Sequence, residues 1–385
     1  MLISRAMLGA ALLLLPTLFL GCGGGNDAAL ATPPLDRKAV QALVDKAVPA
    51  EALPGALVAL REASGPTLGF AAGRGRIEPA AALRAEARFR AGSVLKLLIA
   101  TVVLQLVEEG RLSLAAPLGE LLPPDRVGRF NYRGQITLEQ LLNHSSGLGD
   151  TATGAAHDAD VLSHPGKLRS EQDYLDAALL EPQQPPGAHA YANTNYILLG
   201  LIIDRAAGRS WRAEVQQRLF ARLGMRDSSL PEPADLEMPA PFAHGYESVE
   251  GVGLVDVSRI SPSMAGAAGG HALVTSTADL ARFAAALFGG ALYRSPATLE
   301  RMLRFVPAEP IGDMGYAYGL GVMRHQLPDG RVFLGHGGAS AGYSCAILYD
   351  PSRRLVVVAA RNGSDLGSTY LDLALPVARY LQQER

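Results

Sequence analysis

Lys96 lies inside an apolar run, VLKLLIATVVLQLV, and is one of only four lysines among the 35 basic residues of this 385-residue chain. Wherever a plain positive charge sufficed, the chain used arginine. Arginine keeps its proton in any protein setting, whereas a desolvated lysine can lose it and act as a base. Gly92 and Ser93 precede the run as turn and cap residues, which puts Lys96 in the first turn of a helix. A cation there opposes the macrodipole, and a capping box would carry Glu or Gln instead. Side chains three residues apart share a helix face, so the Ser93 hydroxyl and the Lys96 amine can meet. A nucleophilic serine needs such a base, together with N–H donors for an oxyanion, and the Ser93 N–H near a helix start is one. The plainer alternative has Ser93 capping the helix while Lys96 reaches solvent. The broken helix-start rule favours chemistry.

Two further clusters have the same double character. Tyr191-Ala192-Asn193 precedes an apolar helical run, so Asn193 or Thr194 can be read as its cap and Tyr191 as a packing staple. His336-Gly337-Gly338 can be a turn on a hairpin, but its glycines also permit close backbone approach to a ligand. A competing nucleophile is Ser340 in Gly338-Ala339-Ser340-Ala341-Gly342, which fits G-x-S-x-G. That motif requires a strand, a sharp turn and a helix. Here a strand, a turn and another strand follow, so Ser340 reads as a turn serine.

These groups need elements to hold them. Residues 36–48 have helical spacing, and GALVALRE from Gly55 and PTLGFAAGR from Pro66 read as strands. A long middle region, roughly 111–286, reads as helix and loop, with a Pro-, Glu- and Gly-rich surface loop at 226–256. Four strand-like pieces and a final apolar helix, YLDLALPVARYLQ, follow. Strands at both ends around a helical insert predict an α+β architecture: one antiparallel sheet flanked by helices, beside an all-helical lobe and a cleft. The sheet lobe is expected from about 37–90 and 290–385, and the helical lobe from about 91–289.

The N-terminus, MLISRAMLGAALLLLPTLFLGC, has a basic residue and then an apolar run of signal-peptide length, broken by Pro16. Residues 1–22 therefore read as an export signal, and 23–36 as a flexible tether. Cys345 is the sole cysteine besides Cys22, so the fold cannot staple itself and must rest on packing. A formal charge of −2 without basic runs argues against nucleic acid as a partner. The eight histidines show no metal spacing and no phosphate loop is visible, so no cofactor and no metal are expected.

In order, Ser93-x-x-Lys96, Tyr191-x-Asn193 and His336-x-Gly338 resemble the S-x-x-K, Y-x-N and H-x-G motifs of the serine β-lactamase-like hydrolases. The branch indicated contains class C β-lactamases, D-alanyl-D-alanine carboxypeptidases and related esterases. Stretches such as ITLEQLLNHSSGL and AAGGHALVTSTADLARF extend the resemblance over roughly residues 38–380. It implies a β-lactamase/transpeptidase-like fold. It also implies a Ser93 acyl-enzyme, with Lys96 and Tyr191 sharing the general-base role and Asn193 orienting Lys96 and binding the substrate amide. The N–H groups of Ser93 and Ala339 would form the oxyanion hole, Gly338 would permit the approach, and His336 would contact a substrate acid or relay protons. Histidine in place of the K-T-G lysine departs from efficient β-lactamases and leaves several substrates open: D-alanyl peptides, β-lactams, esters or other amides. A non-catalytic penicillin- or wall-peptide-binding sensor is the alternative from another class. Gly21-Cys22 resembles a bacterial lipobox, with Phe19 where leucine is usual, and implies lipidation at Cys22 and a membrane-held, cell-envelope location.

Overall fold

The computed structural model describes residues 35–48, 55–62, 65–311 and 313–383. The export signal, Cys22 and most of the tether lie outside these residues. Helix α1 (Arg37–Lys46) starts where Asp36 accepts the N–H groups of Lys38 and Ala39, and buries Val40 and Val44. Strands β1 (Gly55–Glu62), β2 (Leu68–Arg76) and β3 (Ala81–Ala82) follow. Then come helices α2 (Leu95–Glu108), α3 (Leu138–Leu142), α4 (Ala155–Ser163), α5 (Asn193–Ala207) and α6 (Thr277–Phe288). Strands β4 (Val306–Ile311), β5 (Met314–Tyr318), β6 (Met323–Gln326), β7 (Val332–Ser340), β8 (Tyr343–Asp350) and β9 (Leu355–Arg361) lead to the final helix α7 (Leu375–Gln383).

The nine strands form one sheet in the order β3-β2-β1-β9-β8-β7-β6-β5-β4. The expected union of N- and C-terminal segments is the antiparallel pairing of β1 with β9, with Ala56 opposite Arg361. The strands β8 and β9 are buried along their whole length, as central strands covered on both faces should be. Residues alternate between faces along a strand. On β7 a Cβ at Gly337 would meet Tyr370, and one at Gly338 would meet Ala91 and Ser93. The C-terminal helical segment and the Ser93 turn therefore cover opposite faces of β7.

The helical insert is less uniform than expected. The 226–256 stretch contains a hairpin pairing Tyr246–Val249 with Gly253–Asp256, and Phe89–Arg90 pairs with Val274–Thr275. Helix α6, read with the helical lobe, instead packs on β1, β8 and β9. Its apolar face, with Leu280, Phe283, Ala284 and Leu287 at helical spacing, is buried there. Helix α2 has Leu95 through Leu106 buried, so it is surrounded on all sides. It packs against α5, which carries Asn193 at its first turn.

Candidate active site

Ser93 sits in a 3-10 turn, Gly92–Val94, that runs directly into α2. The turn keeps Ser93 and Lys96 on one face, with the Lys96 Nζ 3.1 Å from the Ser93 Oγ. Lys96 is fully buried. Its Nζ has two further partners, the Asn193 Oδ1 at 2.8 Å and the Ala268 carbonyl oxygen at 2.5 Å. The Asn193 amide is oriented by its Nδ2, which donates to the Thr151 carbonyl at 3.1 Å, so the oxygen faces Lys96. Three acceptors surround the amine: charged, it donates to all three, and neutral, it donates to the two carbonyls and can turn its lone pair to the Ser93 hydroxyl. Burial lowers the Lys96 pKa from 10.5 to about 7, outweighing the opposing pull of the Asp150 carboxylate.

The half-buried Tyr191 closes the triangle. Lys96 Nζ lies 4.9 Å from its ring centre, and the Ser93 hydroxyl is close enough to act on its phenol. Burial pushes the phenol pKa well up. Tyr191 therefore keeps its proton at ordinary pH. Neither Asn193 nor Thr194 caps α5. Thr194 donates its hydroxyl to the Gly149 carbonyl at 2.7 Å. The Asn193 N–H is taken by the Asp150 Oδ1 at 2.5 Å, a carboxylate supplied from a distant loop to the positive end of the helix.

Strand β7 brings the third motif to the same place. Its partner β6 pairs with Val332–Gly335, which leaves residues 336–340 without a strand on that edge among the described residues. The Ser93 turn lies against this stretch. A Cβ on Gly338 would fall 2.1 Å from the Ala91 oxygen and 2.8 Å from the Ser93 nitrogen. One on Gly92, whose φ is +55°, would fall 2.9 Å from the Ala339 nitrogen. The approach of the Ser93 and Ala339 backbones thus depends on both glycines lacking side chains.

Sequence reasoning had His336 contact a substrate acid or relay protons, and burial of the ring stands against the direct contact. The ring is fully buried on β7. Its Nδ1 faces the Gly337 carbonyl at 2.6 Å and must donate, so Nε2 accepts from the Tyr318 hydroxyl at 2.7 Å. Burial, then the nearby Lys96, lower its pKa to about 3, so the ring is neutral. Ser340 is equally displaced from the nucleophile's role. It ends β7, and the two residues Ala341-Gly342 turn straight into β8, with Ser340 opposite Tyr343. No helix follows, so there is no nucleophile elbow.

Three side chains were missed as site residues. Asp150 anchors Asn193, as above. His144, with φ +59°, accepts the Ala192 N–H at 3.2 Å and packs its ring 4.2 Å from that of Tyr191. Tyr318 bridges from β5 to His336. The one local signal for the first two was the polar NHSSGLGD stretch inside an otherwise apolar region.

Residues 37–381 match the Beta-lactamase family model. The chain belongs to the Beta-lactamase family. It is 29% identical over 304 residues to penicillin-binding protein 4 of Amycolatopsis lactamdurans, covering 76% of each chain. It is 28% identical to a D-aminopeptidase of Cereibacter sphaeroides, over 62% of this chain but only 45% of that one. A D-stereospecific amidohydrolase from Streptomyces sp. superposes with a TM-score of 0.78 at 30% identity, over 88% of this chain and 98% of its own. Other relatives are named as an esterase and D-amino acid amidases. The protein is a serine hydrolase with the β-lactamase/transpeptidase-like fold.

The contact at Gly338 generates a prediction. Gly338→Ala must push β7 away from the Ser93 turn and misplace one oxyanion donor, a loss of about 10²–10³ in rate. Stopped-flow acylation by p-nitrophenyl acetate checks it, and a rate within threefold of wild type would contradict the geometry.

Proposed function

We propose that this protein is an exported hydrolase that cleaves D-configured amides and small peptides of the D-alanyl type through a Ser93 acyl-enzyme. The observation that carries this reading is the fully buried Lys96, poised between two carbonyl acceptors and the Ser93 hydroxyl. As the Ser93 Oγ bonds to the substrate carbonyl carbon, its proton passes to Lys96. The N–H groups of Ser93 and Ala339 hold the oxyanion. Tyr191, a neutral phenol beside both groups, hands its proton to the departing nitrogen and takes the Ser93 proton from Lys96 in its place; the amine so restored then removes a proton from the water that releases the acyl group.

Support for the substrate class comes from the relatives named as D-aminopeptidase, penicillin-binding protein and D-stereospecific amidohydrolase. A neutral, sealed His336 offers no fixed positive charge to a substrate carboxylate, which moves the reading away from efficient β-lactam hydrolysis. The same neutrality suits uncharged esters, a second reading that the esterase relative shares. A sensor that merely holds its acyl group would acylate like an enzyme and fail at deacylation.

Intact-mass analysis with a fluorescent penicillin decides the nucleophile. The adduct is expected on the peptide carrying Ser93, absent in Ser93→Ala, with release over minutes; label on the Ser340 peptide would overturn the assignment. Export and anchoring rest on the apolar run ending in Gly21-Cys22. Cys22→Ser is expected to move the mature protein from the membrane pellet to the soluble fraction, and an unchanged pellet fraction would contradict a lipid anchor at Cys22.

A further inference from the structure

Beyond Ala339 the free edge of β7 continues into a cavity of about 330 Å³. Its walls include Val161 from α4 and Met264, which are apolar, and Ala339 and Ser340 from β7. Two carboxylates complete it, Asp158 from α4 and Glu247 from the 246–256 hairpin, and among the described residues no Lys or Arg lines it. Glu247 is held rigidly. One of its oxygens accepts the Gly342 N–H at 2.7 Å and the other the Ser364 hydroxyl at 2.9 Å. Each oxygen keeps a further acceptor site. Ser340 supplies a second, independent signal. Its side chain is on the cavity wall at 7% residue exposure, yet its hydroxyl has no hydrogen-bond partner among the described residues. A buried hydroxyl left unpaired is destabilising, so an arriving polar group would relieve it.

The direction of the substrate follows from the site. Tyr191, which faces the leaving group, lies toward Tyr318 and His336, with the Tyr191 and Tyr318 ring centres 6.1 Å apart. The acyl portion must then run the other way along β7, from Ala339 toward Ala341, into this cavity.

We infer that the cavity bounded by Asp158, Glu247 and Ser340 is an acyl-side subsite for a substrate group with an apolar stem and a cationic end, an ammonium or guanidinium. The inference rests on the Ser93 acyl-enzyme reading. The volume fits one amino-acid-sized group, at the small end of ligand pockets. Val161 and Met264 would cover the stem, the two carboxylates would pair with the cation, and the Ser340 hydroxyl would accept one of its N–H bonds.

The test compares p-nitrophenyl 6-aminohexanoate with its neutral isostere, p-nitrophenyl heptanoate. Wild-type kcat/KM is expected to favour the cationic ester by about tenfold or more. In Asp158→Asn/Glu247→Gln the preference should fall to about onefold, with p-nitrophenyl acetate turnover kept within about twofold. The exposed Asp158→Asn alone, the milder change, should remove part of it. Equal rates for the two esters in the wild type, with Ser93-dependent acetate turnover intact, would overturn the subsite and leave the hydrolase reading standing. If no ester is cleaved through Ser93, the hydrolase reading fails instead. Ligand-observed NMR of hexylammonium against 1-heptanol on the Ser93→Ala protein then decides the cavity. Binding of the ammonium alone, weakened by Asp158→Asn, supports it, and equal or Asp158-independent binding overturns it.

Discussion

A lysine amine in water holds its proton to well above neutrality, and this fold removes the water. Lys96 enters a helix that is buried on every side, beside the Ala268 carbonyl, the Asn193 amide oxygen and the Ser93 hydroxyl. The fall in pKa from 10.5 to about 7 corresponds to about 5 kcal/mol of penalty on the charged form. Asp150 works against that penalty without cancelling it, and its carboxylate is itself occupied by the N–H groups of Asn193 and Thr151. The site is thereby an amine with a usable lone pair, kept from solvent by packing and from full desolvation by two carbonyls.

The rest of the architecture serves to bring three distant segments to that amine. The 3-10 turn and the start of α2 supply the serine and the lysine, the chain entering α5 supplies Tyr191 and Asn193, and the unpaired end of β7 supplies the facing backbone. Glycines at 92, 269 and 338 are the points where these layers touch at backbone contact. A Cβ on Gly269 would fall 2.8 Å from the Ser93 Cα, the distance at which one on Gly338 would meet the Ser93 nitrogen. Such contacts leave little room for relaxation, which is what preorganisation of an oxyanion site requires.

The union of N- and C-terminal strands in one antiparallel sheet, the Ser93–Lys96 face and the strand character of β7 were legible because each is written in local patterning, spacing or the order of runs along the chain. The helix at Lys96 was visible from one apolar run, and β7 to β9 from strand-like runs with turn residues between them. His336 was misplaced because burial is a tertiary property. Nothing local to LGHGG distinguishes a ring facing a cleft from one sealed behind Tyr318. Asp150 and His144 escaped for the same reason, since their partners at 192 and 193 lie more than forty positions away in the chain. The helix-cap reading of Asn193 failed because a carboxylate from elsewhere took the capping position and freed that side chain for Lys96.

With only four lysines in the chain, the state of Lys96 can be observed directly. Lysine labelled with ¹³C at Cε, followed by NMR across pH with Lys96→Arg as the assignment control, should show one resonance titrating near pH 7 that the substitution removes. A Lys96 signal that stays in its charged position up to about pH 9 would mean the amine keeps its proton at working pH, and the account of the nucleophile would be wrong.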